Sequence, residues 1–315
     1  MCAIGLLLAV LRIGIIGLDT SHSTAFTKKL NGPADSAFPE LAGCRVVAAV
    51  VKGSETVASS VEVQAEYTET VKQLGVEIVP DVKTLLEKVD AVCLESNDGQ
   101  VHLKQAEEVF RSGKRMFIDK PLAHDLKDAV AIVDLAKKYG ATFFTSSAIR
   151  YVRAIRGVKE RKLTVRGMDC WTCMNYEPNH DKWYWYGVHA VDPLFAVLGR
   201  GCEEVVSLAG SDGDVAIGRW SDGRLGVARG LSTARPGAPY GGVIFTEEEG
   251  QVDMGHYEGY GAELKLIINY FRTGETPVSP EESLEVLAFM TAARMSSEQG
   301  GRAVRLADVL AAARR

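Results

Sequence analysis

The chain has no run of lysines or arginines and no basic stripe, and its formal charge is −5 from 36 basic and 41 acidic residues. A nucleic-acid partner needs a basic footprint, so that class is set aside. Cysteines are few, and their spacing gives no disulfide framework. Cys2, Cys44, Cys93, Cys170, Cys173 and Cys202 are scattered, several inside apolar runs. Such usage fits reduced, buried thiols in a cytoplasmic protein and not a disulfide framework. Cys170-Trp-Thr-Cys173 is a lone CxxC without a second pair and reads as part of a strand. No apolar stretch reads as a membrane span. The opening, Met1 to Gly17, is interrupted by Arg12, lacks a basic start and a small-residue cleavage site, and flows into a core strand. Its first ten residues are expected to be a loosely attached leader. Repeats and low-complexity tracts are missing as well. At 315 residues, 46% hydrophobic and 24% charged, the composition is that of a globular chain of about two domains.

What is present is a regular alternation. Leu11–Gly17, Cys44–Val51, Val76–Val79, Asp90–Glu95, Arg115–Ile118 and Thr142–Ser146 read as buried strands. Between them, helices are expected from about Ser21 to Leu30, Val82 to Lys88, His102 to Ser112 and Leu126 to Tyr139. Asp19, Thr20 and Ser21 are all good N-cap types for the first helix. Strands alternating with helices imply βαβ crossovers and a mostly parallel sheet. After Ile149 the pattern changes. Met168–Asn175, Val205–Ala209, Val215–Trp220, Leu225–Leu231 and Val243–Glu247 read as strands joined by turns such as Ser211-Asp-Gly-Asp and Ser221-Asp-Gly-Arg. Helices are expected over Val152–Glu160, Val188–Leu198, Gly261–Arg272 and Glu281–Gln299. The fold class is therefore α/β: a parallel-sheet domain over residues 1–148, then an α+β domain over 149–315 with a large, mostly antiparallel open sheet.

The chemistry-bearing stretches fall at strand ends. Arg115-Met-Phe-Ile-Asp-Lys120-Pro121 ends a buried strand in a lysine set against a proline. Such a lysine points into the ligand crevice of an open α/β sheet, or is a solvated strand end. Ile16-Gly17-Leu18-Asp19-Thr20-Ser21-His22 runs from strand to helix, where phosphate meets helix amides. Taking Gly17 as the first glycine of a dinucleotide fingerprint, Asp19 stands at the second position and His22 at the third. A carboxylate there opposes a diphosphate, while Thr20 and Ser21 offer hydroxyl donors. After the second strand, Lys52 followed by Ser54 suits a 2′-phosphate better than a bare ribose, so NADP is favoured over NAD if a dinucleotide binds. Ser96 and Asn97, after the fourth strand, are the expected contacts on the crevice side, with His102 capping or orienting. Arg150, at the junction of the two halves, is a candidate for a substrate anion. Trp183, Tyr184, Trp185 and Tyr186 offer stacking faces or core packing. His180, His189 and His256 with Asp192 or Glu263 lack zinc-type spacing, so no metal is expected.

The order of these pieces resembles the Gfo/Idh/MocA oxidoreductases, the glucose-fructose oxidoreductase and inositol dehydrogenase-like family. Gly17 on its strand, the turn ending in His102, Asp119-Lys120-Pro121 and Gly187-Val-His-Ala-Val-Asp192 carry the likeness over nearly the whole chain. The resemblance implies a Rossmann-type domain followed by an α/β domain, NAD or NADP as cofactor, and hydride transfer to or from a sugar-like or polyol substrate. It implies that Asp119, Lys120 and Pro121 form the cofactor-side motif, with Lys120 touching nicotinamide ribose and substrate hydroxyl. His189 becomes the acid/base, with Asp192 on the same helical face. The open sheet would build a homodimer or homotetramer. Two departures stand out: one of three fingerprint glycines remains, and Trp185 occupies the place of the family's usual catalytic aspartate. Asp181 and His180 are near enough in sequence to replace it. A ligand-binding or regulatory relative without cofactor chemistry is the alternative class.

Overall fold

The structure is a computed structural model and describes residues 10–174, 177–232 and 240–315. Its first half runs β1 (Leu11–Ile16), α1 (Ser21–Asn31), β2 (Cys44–Val50), α2 (Ala58–Gln73), β3 (Glu77–Ile78), α3 (Val82–Lys88), β4 (Ala91–Leu94), α4 (His102–Arg111), β5 (Arg115–Ile118), α5 (Leu126–Tyr139) and β6 (Phe143–Phe144). The strands are parallel throughout, in the order β3-β2-β1-β4-β5-β6. Chain order reverses between β1 and β4, so the carboxyl ends of these two strands open a crevice. The central strands β1, β4 and β5 are buried on both faces over most of their length, which is why they read as apolar runs. Alternate side chains divide between two layers: Ile13 and Ile15 pack with Phe26, while Ile16 packs with Leu94 and Ile118.

The helix ends follow local chemistry. Asp81 and Asp125 cap α3 and α5 by accepting the backbone N–H of Thr84 and Asp128, and Gly140 closes α5 in the left-handed conformation. Helix α1 begins where expected, with Thr20 as N-cap, but no side chain caps it. Helix α2 has no counterpart in the sequence reading. Only Ser60 and Val71 of its sixteen residues are buried, so it writes no apolar stripe.

The second half runs α6 (Arg153–Glu160), β7 (Val165–Cys173), α7 (Val188–Leu198), β8 (Cys202–Gly210), β9 (Gly213–Trp220), β10 (Leu225–Leu231), β11 (Gly241–Thr246), β12 (Gly250–Asp253), α8 (Gly261–Thr273), α9 (Pro280–Glu298), β13 (Val304–Arg305) and α10 (Leu306–Ala313). Among the described residues seven strands lie in the order β12-β11-β7-β10-β9-β8-β13, with β7–β10 parallel and the other pairs antiparallel. The sequence reading lacked β12, β13 and α10, and part of its strand to Asn175 lies outside the described residues. One face of this sheet packs under α7 and α9 through Phe195, Trp220 and Phe289. The other exposes Leu208, Ile217, Leu225 and Phe245. Helix α8 turns back to the first sheet, where Leu264, Ile267 and Ile268 pack with Ile13 and Phe26. Among the described residues, Cys44, Cys93, Cys170, Cys173 and Cys202 are free and buried, and no helix is long and apolar enough to cross a membrane.

Candidate active site

The parallel ladder runs one residue past the ends of β4 and β5: Glu95 N–H donates to Ile16 O (2.7 Å) and Asp119 N–H to Leu94 O (2.8 Å). Two carboxyl groups are thereby brought to the floor of the crevice. Lys120 follows, joined to Pro121 by a cis peptide bond. The Lys120 N–H donates to Asp119 Oδ1 at 2.8 Å, and its Nζ lies 3.6 Å from Asp119 Oδ2. That same Oδ2 is 2.5 Å from His22 Nδ1. His22, on the first turn of α1, is held between Phe26, stacked at 5.8 Å, and the edge of Tyr260 at 4.5 Å.

Above this floor lies a cleft of about 280 Å³ between the two sheets. Asp19, Thr20, Ser21, His22, Asn97 and Lys120 form one side. His189, Trp185, Tyr186, Tyr240, Tyr257 and Tyr260 form the other. Ser147 Oγ is 2.7 Å from His189 Nδ1, which leaves Nε2 for a partner in the cleft. The imidazole sits between the rings of Tyr186 and Tyr240 at 5.4 and 5.3 Å. A π-helical turn, Trp183–Gly187, precedes α7 and splits the four aromatics. Trp183 and Tyr184 go into the core, where Tyr184 Oη is 2.6 Å from Thr291 Oγ1. Trp185 and Tyr186 go to the cleft. Gly187 is required by this packing, because a Cβ there would lie 2.6 Å from the Trp183 ring.

The electrostatics give the groups different protonation. Burial works against the Lys120 ammonium, but Asp119 and the phenols of Tyr186 and Tyr260 outweigh it and hold the lysine above its ordinary range. Burial also works against the Asp119 carboxylate, yet His22 and Lys120 hold it below its ordinary range. Burial, reinforced by Lys120 and His22, pushes His189 well below the usual imidazole range. At neutral pH the cleft thus presents an ammonium donor and a neutral imidazole acceptor. Burial, followed by Asp119, raises Glu95 and Glu263 well above the carboxylate range.

Several expected site residues are placed otherwise. Gly17 makes the tight turn, at φ +91 and against the Ser96 backbone, but Leu18 is wholly in the core. Ser96 faces away from the cleft, donating to Gln105 Oε1 at 2.9 Å. His102 is fully buried, its ring nitrogens 3.1 Å from Leu122 O and 2.8 Å from Ser96 O, so it ties two loops together and contacts no ligand space. Pro121 lies behind Lys120 and outside the cleft lining. Arg150 is corrected most clearly. It is buried between Asp192, at 2.7 Å, and Glu282, and offers no free face to a substrate anion. Asp192 is spent on Arg150 and on the Ser147 N–H (2.9 Å), so it reaches His189 only through Ser147. His180 bonds Asp98 and Asp181 pairs with Arg294, and neither lines the cleft, so the place of the missing aspartate is not refilled by them. Lys52 is exposed and lines a separate cavity of about 570 Å³ with Ser54, Lys104 and Gln105. Sequence reasoning missed Glu95, Ser147 and Tyr240 as site residues, and weighed the buried Glu263 only as a metal ligand. For Glu95 a signal existed, an acid ending a wholly apolar strand.

Asp19 takes the most consequential position. Its carboxylate crosses from β1 to accept the Ser54 N–H beyond β2 (3.0 Å) and the Asn97 N–H beyond β4 (3.2 Å). Gly53 leaves room for it, since a Cβ there would lie 2.2 Å from the carboxyl carbon. The residues fit a dinucleotide at its two ends, with the larger cavity beyond β2 and β3 for an adenosine half and the Lys120 cleft for a nicotinamide half. Between them, among the described residues, α1 offers an N-terminus without a side-chain cap and the buried, unpartnered hydroxyl of Thr20. A diphosphate would have to take over the two amides that Asp19 holds.

A parallel sheet of the Rossmann type thus meets a second, mostly antiparallel sheet across a cleft that holds a lysine and a histidine. Residues 11–147 match the model of the oxidoreductase family with the NAD-binding Rossmann fold, GFO_IDH_MocA. No curated protein matches the chain in sequence. Among solved structures it is similar to a probable dehydrogenase from Thermotoga maritima, at 23% identity and TM-score 0.73 over 95% of this chain and 100% of that one. It is also similar to myo-inositol dehydrogenase from Lactobacillus casei in complex with NAD(H) and myo-inositol, at 18% and 0.72 over 94% and 96%. The scyllo-inositol dehydrogenase of the same organism, with NAD(H) and scyllo-inositol, matches at 15% and 0.72 over 95% and 99%. At such identities the likeness shows the fold.

Proposed function

We propose that the chain is an NAD(P)-dependent oxidoreductase acting on a hydroxyl or carbonyl of a sugar-like or polyol substrate held in the cleft. The observation that carries this reading is the pairing of Lys120 and His189 on one aromatic-walled cleft at the carboxyl edge of a Rossmann-type sheet. A bound nicotinamide would supply the hydride acceptor or donor. Lys120, as an ammonium, donates a hydrogen bond to the reacting oxygen and stabilises the charge that grows there. His189, neutral and fixed by Ser147, accepts the hydroxyl proton on Nε2 or returns it in the reverse direction. Trp185 stacks on the apolar face of the substrate ring, and Asn97, Tyr186 and Tyr260 offer hydrogen bonds to its hydroxyls. Asp19, Thr20, Ser21 and Asn97 border the path of the diphosphate. Lys52, exposed and lining the larger cavity, offers a cation to a 2′-phosphate, which favours NADP.

The partly apolar outer face of the second sheet fits self-association into a dimer or tetramer, and the free, buried thiols fit the cytoplasm. Asp19's hold on both amides favours a second reading, a binding protein that takes a small polyhydroxylated ligand without a dinucleotide. Calorimetric titration with NADH and NADPH separates them. Micromolar affinity for either supports the oxidoreductase, and no binding up to millimolar concentration refutes it. With binding established, Lys120→Ala is expected to abolish turnover while the chain stays folded, and surviving turnover would remove Lys120 from the mechanism.

A further inference from the structure

The floor of the cleft holds a group that the proposed chemistry leaves unused. The Glu95 side chain has no exposed surface, and among the described residues neither of its carboxyl oxygens has a hydrogen-bond partner. Buried carboxyl groups in native proteins are hydrogen-bonded, paired or bound to a metal. Glu95 Oε2 points at His22 Nδ1 from 3.8 Å, and His22 Nδ1 lies 2.5 Å from Asp119 Oδ2. All three ligand atoms lie within 4.8 Å of one another, and all three residues are buried. They come from the first turn of α1 and the ends of β4 and β5, so three separate elements of the sheet edge hold them in place.

We propose that His22, Glu95 and Asp119 bind one divalent transition-metal ion, such as Zn²⁺, Mn²⁺ or Co²⁺, at the floor of the cleft. Bonds of about 2.0–2.2 Å to nitrogen and oxygen set neighbouring ligand atoms roughly 3.0–3.5 Å apart. The observed 2.5 and 3.8 Å bracket that range, so small side-chain rotations close the site. One imidazole with two carboxylates is a ligand set for these ions and not for an all-oxygen Ca²⁺ cage. The local charge agrees. Glu95, Asp119 and Glu263 bring three carboxyl groups to a buried region where Lys120 is the ammonium close to Asp119. Three protein ligands leave coordination positions open, and His22 and Lys120 both line the cleft from which a water or a substrate oxygen would fill them. The inference stands on these side chains and does not depend on dinucleotide binding. A second cluster, His124, Asp125 and Asp128, is half-exposed and provides an internal control.

The test is titration of the metal-free, untagged full-length chain with Co²⁺, followed by visible absorption and by metal analysis after desalting. One equivalent per chain is expected, with the absorption of a nitrogen-and-oxygen site. Glu95→Gln and, independently, His22→Gln are each expected to weaken binding at least tenfold, while Asp128→Asn leaves it unchanged. Circular dichroism confirms the fold of each variant, and either floor variant suffices if the other does not fold. No stoichiometric uptake by the wild-type chain would overturn the proposal. So would wild-type affinity in the folded floor variants, or loss of binding in Asp128→Asn alone.

Discussion

Replacing Asp19 with glycine is the most searching perturbation of the cofactor reading. In the wild-type chain the Asp19 carboxylate accepts two backbone amides, at 3.0 and 3.2 Å. A diphosphate taking its place breaks both bonds, at about 1 kcal/mol each. If the carboxylate stays nearby, like-charge contact at roughly 4 Å adds about 1 kcal/mol in water and more where solvent is thin. The sum is about 3 kcal/mol, or roughly a hundredfold in Kd. Asp19→Gly is therefore expected to bind NADH or NADPH roughly a hundredfold more tightly than wild type. Asp19→Asn, which removes the charge but keeps an acceptor for the amides, should fall between them. Fluorescence titration of the reduced cofactor reads this directly, with circular dichroism to confirm that the fold survives. Equal affinity in wild type and Asp19→Gly would refute the reasoning, because the carboxylate would then not stand in the diphosphate path. No binding by either protein would count against the cofactor reading itself.

The other expectations concern the surrounding machinery. Trp183→Ala should cost about 3–5 kcal/mol in urea unfolding because it empties a core position. Trp185→Ala should cost less than about 1 kcal/mol while raising KM for the substrate, and matching losses would contradict the split between core and cleft. Arg150→Met leaves buried Asp192 without its cation and should cost about 3–5 kcal/mol, so near-wild-type stability would refute a structural role for this pair. His189 is held below its ordinary range by burial, Lys120 and His22. The unfolded chain therefore takes up a proton there below about pH 6.5 while the folded chain does not, and stability falls as pH drops through that value. His189→Gln should lose less stability than wild type between pH 7 and pH 5, and parallel curves would exclude this linkage.

The two-sheet architecture was legible because its causes are local and repeated. Strands buried on both faces must be apolar throughout, helices between them carry a stripe and caps, and tight turns announce antiparallel pairing. Helix α2 escaped because it buries almost nothing, and β12 and β13 because short edge strands leave little pattern. For the site, the chain order named Lys120, His189 and the odd residues Asp19, His22 and Trp185. Which way those side chains turn was not legible. Asp19 was read as an obstacle and a cap candidate, whereas it latches two loops. Arg150 was read as a candidate for a substrate anion and Asp192 as a partner of His189 or of substrate, whereas in the buried junction they pair with each other.

The one-dimensional chain thus specified element types, their order and the chemical inventory of the crevice, since propensity, periodicity and turn chemistry act between near neighbours. Partnership among that inventory belongs to the folded molecule alone. His22, Glu95 and Asp119 meet only because β1, β4 and β5 are adjacent in the sheet, and Glu263 joins them only because α8 returns from the second half. Distances between residues so far apart in sequence arise from sheet order and packing, and no local pattern records them.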